Sequence, residues 1–232
     1  MFYGLDPLYY MMLGPVLLLS LFAAFKVKSV FGRYSKIASA SGMTGADVAA
    51  EILRRNGLSG VSVVETQGFL SDHYDPVKKV IRLSPDVFRS DSISAIGVAA
   101  HETGHAIQHA KAYSPLALRN AMVPVANIGS TLSWIIIFAG FILGFMGLAK
   151  VGVALFTAVV FFQLITLPVE FNASSRAREM LLSYRLLSET EIAGVRSVLS
   201  AAAMTYVAAA VSSVVTLLYF LVRLGFLGGR DD

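Results

Sequence analysis

The chain contains no cysteine. That excludes disulfides and thiolate ligands, so any metal must be held by histidine, carboxylate or water. Charge is scarce too. Asp, Glu, Lys and Arg together make up 15% of the 232 residues, against roughly a quarter in soluble domains. There is no internal repeat and no low-complexity tract, which excludes a solenoid or a disordered tail as the main feature. What is abundant is apolar surface: 56% of the residues are hydrophobic and the mean hydropathy is +0.67. Soluble domains lie nearer about 45–50% apolar, so the excess points to lipid contact. The net charge is +4, yet the lysines and arginines flank apolar runs instead of forming a stripe. They read as membrane topology, and no nucleic-acid partner is expected.

Four apolar stretches approach the roughly 20 residues that cross a bilayer as a helix. They run from about Leu8 to Phe25, Met122 to Ala149, Val151 to Val169 and Tyr206 to Val222. Gly147 and Lys150 are expected to mark a tight hairpin between the second and third. The first stretch lacks a basic leader and a small-x-small cleavage site, so a retained anchor is expected in place of a signal peptide. Lys26, Lys28, Arg33 and Lys36 follow the first span. Lys111 and Arg119 precede the second, and Arg176, Arg178, Arg185 and Arg196 follow the third. Lys150, Arg223 and Arg230 fall on the other face. The positive-inside rule then puts 26–121 and 170–205 together in the cytoplasm and both termini outside.

The expected organisation is a mainly α membrane protein with about four transmembrane helices and a small cytoplasmic α+β metal domain of zincin-like character. Its parts are an N-terminal span (1–31), a cytoplasmic α+β part (32–121), a transmembrane hairpin (122–169), cytoplasmic helices (170–205) and a C-terminal span (206–232). Within 32–121, Thr44 and Asp47 resemble a capping box ahead of a helix over Ala46–Arg55, and Gly57 suits its stop. Val61–Glu65 and Val77–Leu83 read as strands, with turn formers over Ser71–Pro76 between them. A helix is expected over Ser92–His109. Ser188 with Glu191 resembles a second capping box, opening a helix that merges into the fourth span.

That Ser92–His109 helix carries His101-Glu102-Thr103-Gly104-His105. Residues four apart share a helical face, so His101 and His105 can grip one ion together. Glu102 sits about 100° around the helix, where it can take a proton from a water at that ion. Zinc catalysts usually use three protein ligands. His109 continues the spacing but lies about 12 Å along the axis from His101, too far for one ion. A histidine at 111 would fit another zinc-protease pattern, but Lys111 is there. Glu170 is the better third candidate, because a carboxylate at the end of an apolar helix needs a charged partner. Its alternative is an interfacial glutamate paired with Arg176 or Arg178. His73 and Tyr74 could face the cleft and stabilise an oxyanion, or the turn around them could satisfy only its own backbone. Arg176 has a similar choice between oxyanion and topology. The strand ahead of the His101 helix is a candidate to bind an extended peptide by β-augmentation.

These residues resemble the YugP-type membrane zinc metallopeptidases, which are related in plan to the HtpX-type and CAAX-prenyl membrane proteases. The resemblance covers nearly the whole chain. It rests on Gly68-Phe69-Leu70-Ser71-Asp72-His73-Tyr74-Asp75-Pro76, on Ala99-Ala100-His101-Glu102-Thr103-Gly104-His105-Ala106-Ile107-Gln108, on Pro168-Val169-Glu170-Phe171-Asn172-Ala173-Ser174 and on Ala201-Ala202-Ala203-Met204-Thr205-Tyr206-Val207. It implies one zinc ion with His101, His105 and Glu170 as ligands and Glu102 as general base; His73 stays a further catalytic candidate on its place in the turn alone. Ser174 stands where the wider glutamate-zincin pattern often has an aspartate that orients a ligand histidine, so a hydroxyl would replace that charge.

The reading is a multi-pass cell-membrane endopeptidase of bacterial type. Its site faces the cytoplasm, its surroundings are the lipid bilayer, and its substrate is a peptide or membrane protein. The rival from another class is a non-catalytic adaptor or chaperone with a structural metal, but such sites fill four ligand positions and would leave Glu102 without a task. An intramembrane protease would need the histidine helix to span, and Arg89, Asp91 and Lys111 bracket it too closely. A metal transporter would place ionisable ligands at mid-span, where this sequence has none.

Overall fold

The computed structural model describes residues 6–68 and 71–226. Phe69 and Leu70 of the first quoted segment, and Arg230, lie outside the described residues. Those described form seven helices and one three-stranded sheet. The chain divides into two compact units. A helical unit comprises Met1–Ala23, Leu118–Leu167 and Thr205–Asp232, and a mixed unit comprises Ala24–Ala117 and Pro168–Met204.

Among the described residues four helices are long and apolar enough to cross a membrane: α1 (Pro7–Tyr34), α5 (Ser114–Ile142), α6 (Met146–Ser183) and α7 (Glu189–Arg223). At 1.5 Å per residue the shortest is about 42 Å long, against a hydrocarbon core of about 30 Å. Their outer faces leave large apolar side chains uncovered. Leu18 and Phe25 of α1 are 68% and 72% exposed, a surface suited to lipid. Inside the helical unit, Ile137, Val153, Phe156, Val160, Tyr219 and Phe220 form the core. At one end Asp6 accepts from the Tyr219 hydroxyl at 2.8 Å and pairs with Arg223 at 3.2 Å. The hydrogen bond from Tyr219 leads the influences that hold the Asp6 carboxyl below its ordinary range.

The hairpin between α5 and α6 falls at 143–145, earlier than Gly147 and Lys150 led us to expect. Gly144 takes φ +68°, a left-handed conformation that costs glycine least. The helix that carries the third apolar stretch does not end near Val169. Helix α6 continues through Pro168 to Ser183, because Ala173, Ala177 and Leu181 follow at helical spacing and are all fully buried. Glu170 therefore lies within a helix, not at its end.

In the mixed unit, α2 (Gly45–Arg55) opens with the expected capping box. Asp47 N–H donates to the Thr44 hydroxyl, and Thr44 N–H donates back to the Asp47 carboxylate. The Thr44 hydroxyl and then the Thr44 N–H, both donating to it, hold the Asp47 carboxyl below its ordinary range. Arg54 and Arg55 hold Glu51 down to about 2. The sheet has β1 (Ser62–Glu65), β2 (His73–Asp75) and β3 (Val80–Leu83) in the order β1-β3-β2. β1 runs parallel to β3 and β2 antiparallel to it.

Part of the stretch expected as a turn, His73–Asp75, is thus a strand. The turn falls just after it, where Asp75 Oδ1 accepts from Val77 and Lys78 N–H. The strand ahead of the histidine helix, β3, is the central one. Both its edges are paired, so it cannot receive a peptide by β-augmentation, and the edges of this sheet are β1 and β2.

After the short α3 (Pro85–Phe88), α4 (Ile93–Ala110) is capped by Ser92, whose side chain accepts from Ala95 N–H. Its apolar side chains are buried on two sides. Ala95, Ala99 and Ala106 pack with Ile81, Leu83 and α2. Ile93, Ile96, Ala100 and Ile107 pack with residues of α6 and α7. Gly104 lets α4 approach α6 at backbone distance. A Cβ there would stand 2.8 Å from the Ala173 carbonyl oxygen of α6, which is backbone and cannot rotate away. Gly104→Ala is therefore expected to push α4 and α6 apart at a cost of about 1–3 kcal/mol. Gly60→Ala, with nothing within 4 Å of the added methyl, serves as the control. Thermal unfolding in detergent checks this, and an unchanged midpoint for Gly104→Ala would show that the two helices do not meet there.

Candidate metal centre

Because α4 turns every 3.6 residues, His101 and His105 project from one face, and their ring centroids lie 4.8 Å apart edge to face. Glu170 of α6 meets them there. His101 Nε2 is 3.1 Å and His105 Nε2 3.6 Å from Glu170 Oε2. Glu170 is 3% exposed. A carboxylate this buried is costly without a cationic or hydrogen-bonding partner, and two imidazoles converge on it.

The donor set fits zinc. The three side chains each bring one ligand atom into a group within 4.8 Å of one another. Two ligands bonded at about 2.0–2.1 Å to one tetrahedral zinc stand about 3.3 Å apart. The observed 3.1 and 3.6 Å bracket that separation. Two imidazoles and a carboxylate without sulfur also match the nitrogen–oxygen ligand chemistry of catalytic zinc.

The far nitrogens of both rings are held. His101 Nδ1 lies 3.1 Å from the Ser174 hydroxyl, the contact expected at that position. His105 Nδ1 lies 3.0 Å from Gln108 Oε1. Burial presses His105 towards its neutral form, but the Glu170 bond and the charges of Glu102 and Glu170 outweigh it and raise its pKa. Glu102 is itself 9% exposed. It leaves the helix beside His101, near enough for its charge to act on the His105 ring.

Not every candidate joins this group. His73 lies outside it. Successive strand residues face opposite ways. Tyr74 is paired with Ile81, which is fully buried, while His73 is paired with Arg82. The exposed His73 ring donates from Nδ1 to the Ser71 carbonyl at 2.7 Å, which is the self-satisfied turn that was its alternative. Tyr74 instead lies against α4, its hydroxyl 2.8 Å from His109 Nδ1. Burial and then the Asp75 charge push its phenol pKa up. His109 is thus tied to the sheet. The alternative partners of Glu170 are engaged elsewhere: Arg176 Nε donates to Asn172 Oδ1 at 2.8 Å and Arg178 Nε to the Ser174 carbonyl at 3.4 Å.

Two residues without an expected role, Gln108 and Asn172, lie at the heart of the site. Both stand in the segments that carry the resemblance. The spacing of Gln108, three after His105 on one helical face, was the available signal.

A protein of Bacillus subtilis (strain 168) named "Putative membrane protease YugP" is 51% identical over 214 residues, spanning 92% of this chain and 94% of that protein. No solved structure matches. A family match extends over residues 9–225 and so takes in His101, His105 and Glu170 together: the chain belongs to the family described as "Putative neutral zinc metallopeptidase".

Proposed function

We propose that this protein is a membrane-embedded, zinc-dependent endopeptidase of the glutamate-zincin kind, cutting membrane-associated proteins at the cytoplasmic surface. The observation that carries the reading is the convergence of His101, His105 and Glu170 on one buried point, with Glu102 beside them.

In this reading His101, His105 and Glu170 are the three protein ligands of a single zinc ion. The ion would supply a Lewis acid for the scissile carbonyl and make a nearby water more acidic. The Glu102 carboxylate takes the proton from the attacking water and returns it to the departing amide nitrogen. Glu170 contributes negative charge to the ligand set, and Ser174 keeps the His101 ring from rotating. The placement of His73 supports no catalytic part for it.

The cytoplasmic assignment is supported by charge. Lys26, Lys28, Arg33, Lys36 and Lys111 lie in the chain segments that carry the α2–α4 region, and Arg176, Arg178, Arg185 and Arg196 in those around Glu170. A site built on the continuation of apolar helices suits substrates that are themselves held in or at the bilayer.

Metal content of detergent-purified protein tests the ligand set. Wild type and Glu102→Gln are expected to carry about one zinc each, and Glu170→Ala little. Zinc retained by Glu170→Ala would place the third ligand elsewhere, and wild type that takes up no zinc would remove the metallopeptidase reading.

Hydrolysis is a separate test. Glu102→Gln is expected to lose at least about a hundredfold in cleavage rate while keeping its metal. An apolar membrane protein should yield defined fragments where soluble casein yields none. Casein cleavage without membrane-protein cleavage would sink the substrate assignment, and equal activity in Glu102→Gln would sink its role as base.

A further inference from the structure

We infer that Gln108 is a positioning residue that holds His105 in one tautomer, with the proton on Nδ1 and Nε2 bare towards Glu170. The inference rests on the reading of His101, His105 and Glu170 as a metal-ligand set. Its geometry is independent of any ion.

Gln108 is fully buried, and its amide orientation is dictated at both ends by groups of fixed polarity. The Val169 carbonyl can only accept, and Gln108 Nε2 donates to it at 2.8 Å. The Arg176 guanidinium can only donate, and its Nε bonds Asn172 Oδ1 at 2.8 Å. The oxygen of Asn172 therefore faces this junction, and Gln108 Nε2 donates to it at 3.0 Å. Both amide hydrogens are then in use. What remains for His105 Nδ1 at 3.0 Å is Oε1, an atom that can only accept. The Nδ1 must carry the proton, which leaves the Nε2 lone pair free to bind a metal. Turning the amide over would set Oε1 against two oxygens in a buried site, an expensive arrangement.

The same amide does a second thing. Val169 and Asn172 stand on either side of Glu170 in α6, so Gln108 sets the register of the histidine helix against the carboxylate. Arg176 enters as the anchor of this chain. By contrast, the Ser174 hydroxyl near His101 can donate or accept and does not by itself choose a tautomer.

The test reads the imidazole nitrogens directly. The chain has four histidines, so side-chain ¹⁵N NMR of the metal-free protein in detergent is tractable, with His105 assigned by loss of its signals in His105→Ala. At alkaline pH, with the rings neutral, wild-type His105 is expected as the Nδ1–H tautomer. Gln108→Met should give a mixture and weaken zinc binding, measured by chelator competition, by about 10- to 100-fold. Asn172→Ala, which leaves the Val169 carbonyl to orient the amide, should weaken it less.

Wild-type His105 protonated on Nε2 overturns the inference, and this holds even if Gln108→Met does not fold. So does a Gln108→Met protein that keeps both the tautomer and the wild-type zinc affinity, while leaving the metal reading intact. A wild type with the expected tautomer but no affinity for zinc supports the hold of Gln108 on His105 and overturns the metal reading.

Discussion

A carboxylate buried among apolar helices is the constraint on which the rest of the mixed unit depends. Glu170 lies on a helix whose neighbouring buried residues are valine and alanines, and an ionised group there must be met by cations or hydrogen-bond donors. The side chains that face it are two imidazoles one turn apart on another helix, with His101 Nε2 at 3.1 Å and His105 Nε2 at 3.6 Å. For them to arrive, α4 must lie against α6 at backbone distance, which requires Gly104 opposite Ala173. It must also be apolar on its other faces, hence the alanines packed on the sheet side and the isoleucines packed towards α6 and α7. The electrostatic requirement of one side chain thus explains the composition of an entire helix.

The polar groups around this point form a continuous set. Ser174, Gln108 and Asn172 each take a fixed place, and Arg176 closes the chain at its outer end. Such a network matters more in its completeness than in any single bond. An intramolecular hydrogen bond contributes only about 0.5–1.5 kcal/mol net, whereas one buried group left unpartnered costs about 1–3 kcal/mol. A cluster of side chains held this way is fixed from several sides at once.

The small sheet supports the site without adding a side chain to the His101–His105–Glu170 group. Ile81 and Leu83 of β3 press on the alanine face of α4, and Tyr74 of β2 reaches His109 one turn beyond His105. This bracing from the sheet side complements the α6 contacts on the other. In the helical unit the organising force is different. Its core is aromatic and aliphatic, its outer faces are uncovered apolar side chains, and its polar contact at one end joins Asp6, Tyr219 and Arg223. That pattern follows from a solvent that is itself apolar.

The local features were legible in the sequence because they depend on neighbours along the chain. Four long apolar helices, the Thr44–Asp47 and Ser188–Glu191 caps, and the pairing of His101 with His105 all follow from helical spacing and from the cost of unsatisfied polar groups. Membership of a zinc metallopeptidase family could likewise be read from short segments. Other features depend on residues far apart in sequence, and only the tertiary structure decided them. Strand alternation separated Tyr74 from its neighbour His73, but the side facing α4 was set by sheet packing. β3 became the centre of the sheet because β1 crosses over to pair with it. Glu170 was credible as a ligand from its apolar surroundings, but the meeting of α4 and α6 at Gly104 brought it within 3.1 Å of His101. The role of Gln108 was out of reach altogether, since its amide takes its orientation from a carbonyl and a guanidinium more than 60 residues away. Spacing determines which side chains share a face, while packing determines what that face meets.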